Sequence, residues 1–369
     1  MKQKICCIFN YAPHYRSTIY QLLDKEFECD MYFGNNINAN IKKLDLHVLK
    51  NAQELKSIWF FNKIYWMVGS IGLIFKPYKK YLLTGESHCI SDWIIIIIAK
   101  LRRKKIYFWN HGWYGKEKGI KVHIKKFLFS FVSGFFLYGE YAKKLMIEQG
   151  ISENNLHVIF NSLDYEVTLA VRKKLSNSVI YTSRFNNHGP VLLFIGRLQP
   201  VKKLDLLILA IKSLKAKGRE INLVIIGDGD EKERLEKLVC VYSLTQNVWF
   251  YGSCYDEMEI GMLIYNAALC VSPGNVGLTA IHSLSYGTPV ITHNDFKHQM
   301  PEFEAIIPGK TGAFFIANDL NSLELEIESW LDSHPEKDQN IVEDCYKIID
   351  NRYNPDYQIN VIKNVLKMN

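Results

Sequence analysis

The sequence lacks several features that mark large classes of protein. Its eight cysteines form no CxxC or CxxH pair, and most lie in apolar runs. They predict small buried side chains in a reducing compartment, not a zinc site or a disulfide framework. No motif of a nucleic-acid-binding fold and no cluster with metal-ligand spacing is present. The first apolar run is too short for the core of a cleaved signal peptide. These absences predict a cytoplasmic protein that requires no metal and binds no nucleic acid.

Length and charge divide the chain into two unlike halves. Its 369 residues are too many for one ordinary domain, and a hydrophobic share of 48% allows each half a full core. Through Asp164 there are 24 Lys and Arg against 13 Asp and Glu, a net charge of +11, whereas the remainder has 21 against 25, a net of −4. This imbalance predicts a local anionic partner for the first half, either a membrane surface or an acidic acceptor.

Short apolar runs alternate with longer helical stretches along the whole chain. This alternation predicts an α/β fold with parallel sheets covered on both faces. The polar stretch 166–190 predicts a linker between domains 1–165 and 191–345, with a C-terminal helix at 346–369 that packs back on the first domain. We expect two doubly wound, Rossmann-like domains and a ligand in the cleft between them. Strand candidates in the second half are Val191–Ile195, Leu223–Ile226, Val248–Tyr251, Leu269–Val271 and Pro289–Thr292.

Two stretches of the first half are candidates for membrane contact. Ile58–Phe75 is rich in aromatic residues and is followed by three lysines between residues 76 and 80, a pattern shared by core helices and interfacial helices. Ile94–Ile98 precedes the basic run Arg102–Lys105, which is more typical of a buried helix end followed by a solvated turn. We therefore expect peripheral attachment to the inner face of the cell membrane.

Two cations follow the first strand of the second half. The segment VLLFIGRLQPVKKLD ends a strand at Gly196, places Arg197 and Lys202 just beyond it and begins a helix near Asp205. Cations at this position suit a diphosphate, because ammonium and guanidinium groups donate charge-assisted hydrogen bonds to phosphate oxygens. Taken alone, the two cations are more typical of ordinary solvated surface charge.

A glycine-containing loop follows a later strand and leads into a helix. The strand Leu269–Val271 is followed by SPGNVG and by a predicted helix from about Leu278 to Tyr286. The first N–H groups of a helix have no acceptor in the helix and lie at the positive end of its dipole. This loop therefore predicts a second anion-binding element.

Together, the motifs GRLxxxKxxD, IGDGxxxxxL, NVxFYG and SPxxxxGLxxxxxxxxGTPVI resemble the donor half of the family-4 retaining glycosyltransferases, which have the GT-B fold. Their order and spacing match over about Val191–Phe315. The first half is more loosely similar, in CIFNYAPHYRSTIYQLL and VIFNSLD. The resemblance implies transfer of a sugar from a nucleoside-diphosphate sugar to a glycan or lipid-linked glycan acceptor, with retention and without a metal, in bacterial surface polysaccharide synthesis.

The resemblance also implies a role for individual residues. Arg197 and Lys202 would bind the donor pyrophosphate, and His111, in the turn FWNHGWYG, would lie near the sugar. His111 also follows a strand end, in a loop with Gly112 and Gly115, and an ordinary surface-loop histidine is the less favoured alternative. The implied donor-binding residues are Gly196, Tyr251, Gly252, Gly274, Asn275, Val276, Gly277, Leu278, Thr279 and His282. The candidate acceptor-binding residues are Tyr11, Arg16, Trp113 and Tyr114, of which Trp113 and Tyr114 offer aromatic faces to a sugar ring.

One departure from the family pattern concerns two carboxylates. Many relatives carry a Glu, seven residues and a second Glu in this loop and helix, where this chain has Gly274 and His282. His282 retains the ability to hydrogen-bond a ribose hydroxyl. The nearby Glu302 and Glu304 either compensate for the missing carboxylates or are solvated at the surface. Two alternatives remain open: an inactive GT-B subunit that binds nucleotide or membrane, and a GT-B sugar-nucleotide epimerase.

Overall fold

The structure, a computed structural model, describes residues 4–37 and 41–368. The chain forms two compact units, the first made of Met1–Asp164 with Asn354–Asn369 and the second of Tyr165–Tyr353. Each unit is built around a parallel sheet with helices on both faces.

Within the described residues, the first unit has a seven-stranded parallel sheet in the order β3-β2-β1-β6-β7-β8-β9 and a separate hairpin, β4-β5. Its strands are β1 (Lys4–Phe9), β2 (Glu28–Gly34), β3 (Ala52–Leu55), β4 (Ser57–Phe60), β5 (Ile64–Met67), β6 (Lys80–Leu83), β7 (Lys105–Asn110), β8 (Gly134–Leu137) and β9 (Leu156–Val158). Its helices are α1 (Ser17–Glu26), α2 (Ile90–Leu101), α3 (Ile120–Phe129), α4 (Glu140–Glu148) and the last helix of the chain, α12 (Pro355–Met368).

The central strands of this sheet are buried on both faces, as their continuous apolar runs predict. One core packs beneath α2 and α3 and includes Ile95 and Phe129. A second core packs beneath α1 and α12 and includes Tyr20 and Leu366. Burial of both faces leaves the ends of the strands as the places where polar side chains gather.

The segment Ile58–Phe75 is neither a core helix nor an interfacial helix, so both interpretations of it were wrong. It forms the antiparallel hairpin β4-β5 and a short 3-10 helix at Ser70–Phe75. Phe61 and Asn62 at the hairpin turn both have positive φ, which is typical of the tight turns that match strand twist. The Phe61 side chain is 93% exposed. In the described part of the chain, no helix is long and apolar enough to cross a membrane.

The second unit has, in the described residues, a six-stranded parallel sheet in the order β12-β11-β10-β13-β14-β15. Its strands are β10 (Val191–Ile195), β11 (Asn222–Ile226), β12 (Val248–Gly252), β13 (Leu269–Ser272), β14 (Val290–His293) and β15 (Gly312–Phe315). Its helices are α5 (Tyr165–Arg172), α6 (Leu204–Ala216), α7 (Lys232–Val241), α8 (Glu257–Asn266), α9 (Leu278–Ser285), α10 (Leu320–Ser333) and α11 (Gln339–Arg352).

The predicted linker 166–190 is part of the second unit. Helix α5 packs against α8, and the Arg172 Nε donates a hydrogen bond to the carbonyl oxygen of Ser285 at 2.7 Å. Burial of Val171 explains the attachment, because an apolar helix face must pack against another element. The contact of α5 with α8 was not predicted, because residues 166–190 show little apolar periodicity.

The predicted C-terminal helix 346–369 is two helices in different units. Helix α11 ends at Arg352 in the second unit, and α12 begins at Pro355 in the first. Proline is accepted at the first turn of a helix but not in its interior, so Pro355 marks the start of a new helix. Helix α12 packs on α1 and buries Ile362 and Leu366.

Candidate functional site

The candidate donor site lies at the point where the strand order of the second sheet reverses. Strands β10 and β13 are neighbours in the sheet but not in the sequence, so the connections that leave them diverge. Arg197 follows β10, and the loop Pro273–Gly277 follows β13. Ligands of open α/β sheets bind at such a switch point, beyond the carboxyl ends of the strands.

Lys202 ties these two connections together. Its Nζ donates a hydrogen bond to the carbonyl oxygen of Asn275 at 2.6 Å, and the Gly274 N–H donates to the Lys202 carbonyl oxygen at 3.0 Å. Burial lowers the pKa of Lys202 to about 8, an effect that Glu302 opposes and Arg197 increases. The ammonium group is therefore fixed beside the glycine loop with a second cation close by.

Glu302 is a buried carboxylate of this site, not a solvated surface group. Its side chain is 2% exposed, and its charge acts on Lys202. Glu304, two residues further on, is half-buried. The sequence pattern gave no sign of this difference, because both residues lie in one short 3-10 segment, Pro301–Ala305.

Close backbone packing explains the absence of a carboxylate at position 274. A Cβ on Gly274 would overlap the carbonyl oxygen of Val201 and lie 2.7 Å from the Cα of Lys202. The backbone that presents Lys202 fills the space that any side chain would need. The neighbouring Asn275 has a buried Oδ1 without a hydrogen-bond partner in the described residues.

Gln299 holds the glycine loop and was not found from the sequence. Its Oε1 accepts the Val276 N–H at 2.9 Å, and its Nε2 donates to the Thr292 Oγ1 at 2.8 Å. The N–H of Val276 is therefore already used and is not among the groups open to a phosphate. A buried glutamine in a polar segment leaves no periodic signal, so only its contacts reveal its role.

The start of α9 adds further N–H groups beside the glycine loop. Gly277 caps the helix with a φ of 53°, and Leu278 and Thr279 form its first turn. Their N–H groups have no acceptor within the helix because of their position. The Thr279 hydroxyl donates to the Ile195 carbonyl oxygen at 2.7 Å, and a Cβ on Gly196 would lie 3.3 Å from that hydroxyl. Thr279 thus joins the helix to the end of β10.

His282 lies in a second cluster, with a carboxylate that the sequence did not suggest. The Glu257 Oε1 accepts hydrogen bonds from the His282 Nε2 and the Tyr286 hydroxyl, both at 2.7 Å. Burial raises the pKa of Glu257, but these two hydrogen bonds outweigh burial and the pKa is lowered. Helix α8 therefore brings a carboxylate to the histidine that replaces one in α9.

Tyr251 and Gly252 end β12 and lie close to the first turn of α8. The Tyr251 hydroxyl donates to Glu259, and its ring centroid lies 4.9 Å from that of Trp249. Gly252 has a φ of 88°, a conformation that glycine adopts at little cost. These contacts fix the Tyr251 ring against the helix that carries Glu257.

A separate cavity of about 410 Å³ lies in the first unit, at the carboxyl ends of β1, β6 and β7. Tyr11, Arg16, His111 and Tyr114 all line it. Arg16 donates to the Tyr138 hydroxyl, and its guanidinium lies 5.4 Å from the Trp109 ring centroid. Four of the residues predicted from the first half are thus brought together.

His111 is neutral within this cavity. Burial lowers its pKa to about 3, and the nearby Arg16 and Lys125 act in the same direction. Its Nδ1 is buried without a hydrogen-bond partner in the described residues. The centroid of the His111 ring lies 4.8 Å from that of Tyr138 and 5.6 Å from that of Tyr114. A neutral imidazole here is suited to hydrogen bonding and not to acid catalysis at neutral pH.

Trp113 does not line the cavity and offers no face to a sugar. It is 4% exposed, and its ring packs against Phe129 and beneath the Lys125 Nζ, which lies 4.5 Å from the ring centroid. Lys125 also donates to the Gly112 carbonyl oxygen at 2.8 Å and to Glu117 at 2.6 Å. Trp113 therefore supports the loop that carries His111.

Two carboxylates of this cavity were missed by the sequence analysis. Glu86 accepts from the Asn10 Nδ2 at 2.6 Å and from the Tyr65 hydroxyl at 2.9 Å, and burial raises its pKa. Asp92 is also buried, which raises its pKa to about 7. For Glu86 the sequence held a signal. It follows strand β6 in the segment TGES, a position typical of ligand-binding residues in such sheets.

The two sheets, with glycine loops and cations beyond their strand ends, define a protein of the GT-B class, two Rossmann-like α/β domains, as predicted. Residues 180–348 match the family model described as glycosyl transferases group 1. These residues lie in the second unit, so the match to the group 1 glycosyltransferases concerns that unit of the chain.

The chain is also similar to individual curated proteins. A Klebsiella pneumoniae protein described as an uncharacterized 41.2 kDa protein in the cps region is 28% identical over 263 residues, 69% of this chain and 62% of that protein. The alpha-D-kanosaminyltransferase of Streptomyces kanamyceticus is 29% identical over 108 residues, 28% of each chain. The chain thus spans less than two thirds of the length of these curated relatives.

Solved structures show the same fold over the whole chain. A glycosyltransferase from Rickettsia africae has a TM-score of 0.73 at 16% identity and covers 100% of this chain and 98% of its own. The Anabaena protein HepE, solved in complex with UDP, has a TM-score of 0.72 at 14% identity and covers 100% of both chains. At these identities the likeness establishes the fold.

Proposed function

We propose that this protein is a glycosyltransferase that transfers a sugar from a nucleoside-diphosphate sugar to a glycan or lipid-linked glycan acceptor. The observation that carries the proposal is the placement of Lys202 and Arg197 beside the glycine loop and the start of α9, at the switch point of the second sheet. The pyrophosphate of such a donor matches two cations and a row of N–H groups. The UDP bound in the HepE structure supports this class of donor.

The proposed reaction proceeds with retention and without a metal. The bond between the sugar C1 and the pyrophosphate breaks, and the acceptor oxygen bonds to C1 on the same face. The acceptor proton passes to an oxygen of the departing phosphate, so no protein nucleophile is required. Lys202, Arg197 and the N–H groups of α9 stabilise the charge that develops on the diphosphate.

The first-unit cavity is the proposed acceptor site. It presents the hydroxyls of Tyr11 and Tyr114 and the carboxylate of Glu86, groups that suit the hydroxyls of a sugar. Neutral His111 serves as a hydrogen-bonding residue that positions a reacting sugar. Its unpartnered Nδ1 is the group open for that bond.

We further propose that the protein works at the inner face of the cell membrane in bacterial surface polysaccharide synthesis. The Klebsiella relative, described by its cps region, supports this context. On α3, Ile120, Ile124 and Phe127 form an exposed apolar stripe, with Lys121 and Lys126 on the same helix. Such a pattern is typical of helices that bind a membrane surface reversibly.

A thermal-shift screen with UDP-, GDP-, ADP- and CMP-sugars tests the proposed function. A donor at 100 times its dissociation constant should stabilise the protein by about 2.7 kcal/mol. Release of the matching nucleoside diphosphate in the presence of acceptor glycans then tests catalysis. Binding without any transfer or donor hydrolysis would favour an inactive nucleotide-binding subunit, and no binding of any donor would overturn the proposal.

The affinity for the nucleoside diphosphate should fall at alkaline pH. Lys202 is charged below its pKa of about 8 and loses its proton as the pH rises past that value. We expect a flat affinity near neutral pH and a loss of roughly tenfold per pH unit well above it, until the lysine of the complex also titrates. Calorimetry in two buffers of different ionisation enthalpy should detect proton uptake on binding. The same slope in Lys202→Ala would assign the titration to another group.

His282 should contribute to nucleoside binding through its pairing with Glu257. Loss of a hydrogen bond to a charged group typically costs about 1.5 kcal/mol or more, so His282→Ala should weaken nucleoside-diphosphate binding by roughly tenfold and raise the donor KM. Tyr286→Phe is the matched control, because it removes the other bond to the same Glu257 oxygen and leaves the histidine in place. Unchanged nucleoside-diphosphate affinity in His282→Ala would contradict this role.

A further inference from the structure

A second cavity of the first unit, about 750 Å³ in volume, is surrounded by positive charge. Among the described residues that line it there is no carboxylate, and two of them, Phe75 and Tyr78, are aromatic. We call it the basic cavity. Its cationic side chains are Lys76, Lys79, Lys80, Arg102, Arg103, Lys104, Lys105 and Lys367.

Two of these cations, Lys104 and Lys80, are held in place by hydrogen bonds to backbone carbonyl oxygens. The Lys104 Nζ donates to the carbonyl oxygens of Ile74 and Lys76, both at 2.6 Å. Lys80 is 5% exposed and donates to the Leu366 carbonyl oxygen. Burial lowers the pKa of both lysines, and neighbouring cations lower it further. The fold thus maintains a group of like charges that repel one another.

Two acidic side chains near this region are already paired, each with one residue that lines the basic cavity and with one lysine outside it. Glu26 lies 2.8 Å from the Lys363 Nζ and 3.4 Å from the Lys367 Nζ. Asp30 lies 3.3 Å from the Lys4 Nζ and accepts from the Tyr78 hydroxyl. Lys79 and Arg103 are exposed and form no ion pair with the residues that the structure describes. An anion from outside the chain would balance the charges of Lys79 and Arg103, which the described acidic residues do not.

The basic cavity lies at the amino ends of β6 and β7, whereas the cavity that contains His111 lies at their carboxyl ends. Lys80 and Lys105 begin β6 and β7 and face each other in the parallel register, whereas His111 follows the carboxyl end of β7. A strand of this length spans roughly 16 Å at about 3.3 Å per residue. A ligand in the basic cavity is thus distinct from a ligand in the proposed acceptor site.

We propose that the basic cavity binds an anion that carries phosphate. A phosphate group offers several acceptor oxygens and one to two negative charges, which suits converging ammonium and guanidinium groups better than a single carboxylate does. The source is either the headgroup of a membrane lipid or a soluble phosphate compound. This inference does not depend on the proposed glycosyl transfer, and either can fail without the other.

Vesicle sedimentation of the full chain tests the lipid source. Phosphatidylcholine vesicles containing phosphatidylglycerol are compared with vesicles that contain oleate at the same surface potential. We expect at least tenfold tighter binding to the phosphate-bearing surface. The triple variant Lys76→Glu, Lys79→Glu, Arg103→Glu should lose at least tenfold, whereas the control Lys237→Glu, Lys310→Glu, Lys347→Glu, with the same change in net charge, should lose less than twofold. Thermal unfolding checks that both variants fold.

Calorimetric titration of inorganic pyrophosphate into the Lys202→Ala variant tests the soluble source, because that change weakens the anion site of the second unit. Saturable binding that the Lys76, Lys79 and Arg103 reversals abolish would support a phosphate site even if vesicles are not bound. Equal losses in the two triple variants, or equal binding to oleate and phosphate vesicles without any pyrophosphate binding, would overturn the proposal. Nucleoside-diphosphate binding should remain unchanged in both triple variants.

Discussion

Lys202→Ala should reduce turnover by about 10²–10³-fold while the fold remains intact, because the lysine is a donor to charge that develops on the leaving diphosphate. It also donates to the Asn275 carbonyl oxygen, so its loss frees the glycine loop at the same time. Arg197→Ala should have an effect of similar size, since Arg197 lies close enough to alter the pKa of Lys202. The measurement is the steady-state rate with the donor found by thermal-shift screening.

Lys203→Ala provides the matched control for this prediction. Lys203 is the next residue in the chain, and its side chain bonds to Asn318 instead of the glycine loop. Its removal should change turnover by less than threefold. Near-normal rates in both Lys202→Ala and Arg197→Ala would show that the pyrophosphate does not bind at this switch point. Normal thermal unfolding is required of every variant before rates are compared.

The parts of the fold that could be predicted are those with a local signal. Continuous apolar runs such as VLLFI and NLVII fix the buried parallel strands, and the observed β10 spans the predicted Val191–Ile195. Arg197, Lys202 and Gly277 follow strand ends or begin a helix, where the physics of strand edges and helix dipoles concentrates anion binding. Such residues can be predicted from a single sequence, because their position at the end of a strand or the start of a helix already suggests their role.

The residues that escaped prediction depend on contacts between distant segments. Gln299 was missed because its role exists only through Val276 and Thr292, and Glu257 was missed because its partner His282 is 25 residues away. Trp113 was misjudged since its burial against Phe129 is decided by tertiary packing and not by its loop. The hairpin at residues 57–67 was missed because its aromatic composition hid a short turn between Phe60 and Ile64 that uses positive φ at Phe61 and Asn62.

Gly274→Ala should destabilise the protein and disable the donor site, although alanine is the smallest possible addition. The new Cβ would overlap the Val201 carbonyl oxygen and lie 2.7 Å from the Lys202 Cα and 2.8 Å from its carbonyl carbon. These are backbone atoms, which cannot rotate away as a side chain can. Overpacking of this kind typically costs about 1–3 kcal/mol, and the loop must also move. Displacement would break the 3.0 Å hydrogen bond from the Gly274 N–H to the Lys202 carbonyl oxygen.

Gly274→Glu tests whether backbone packing excludes a side chain at position 274, or whether this chain has merely lost the carboxylate that many relatives carry there. If the carboxylate were only missing, its restoration would improve donor use. However, the Lys202 backbone occupies the space. We therefore expect the glutamate variant to be at least as unstable as Gly274→Ala in urea unfolding. By calorimetry it should bind the nucleoside diphosphate at least tenfold more weakly than the unmodified chain. Gly72→Ala is the control, since a Cβ there meets nothing within 4 Å and should leave both properties unchanged. Equal or better activity in Gly274→Glu would show that the loop can open and that the carboxylate position remains usable.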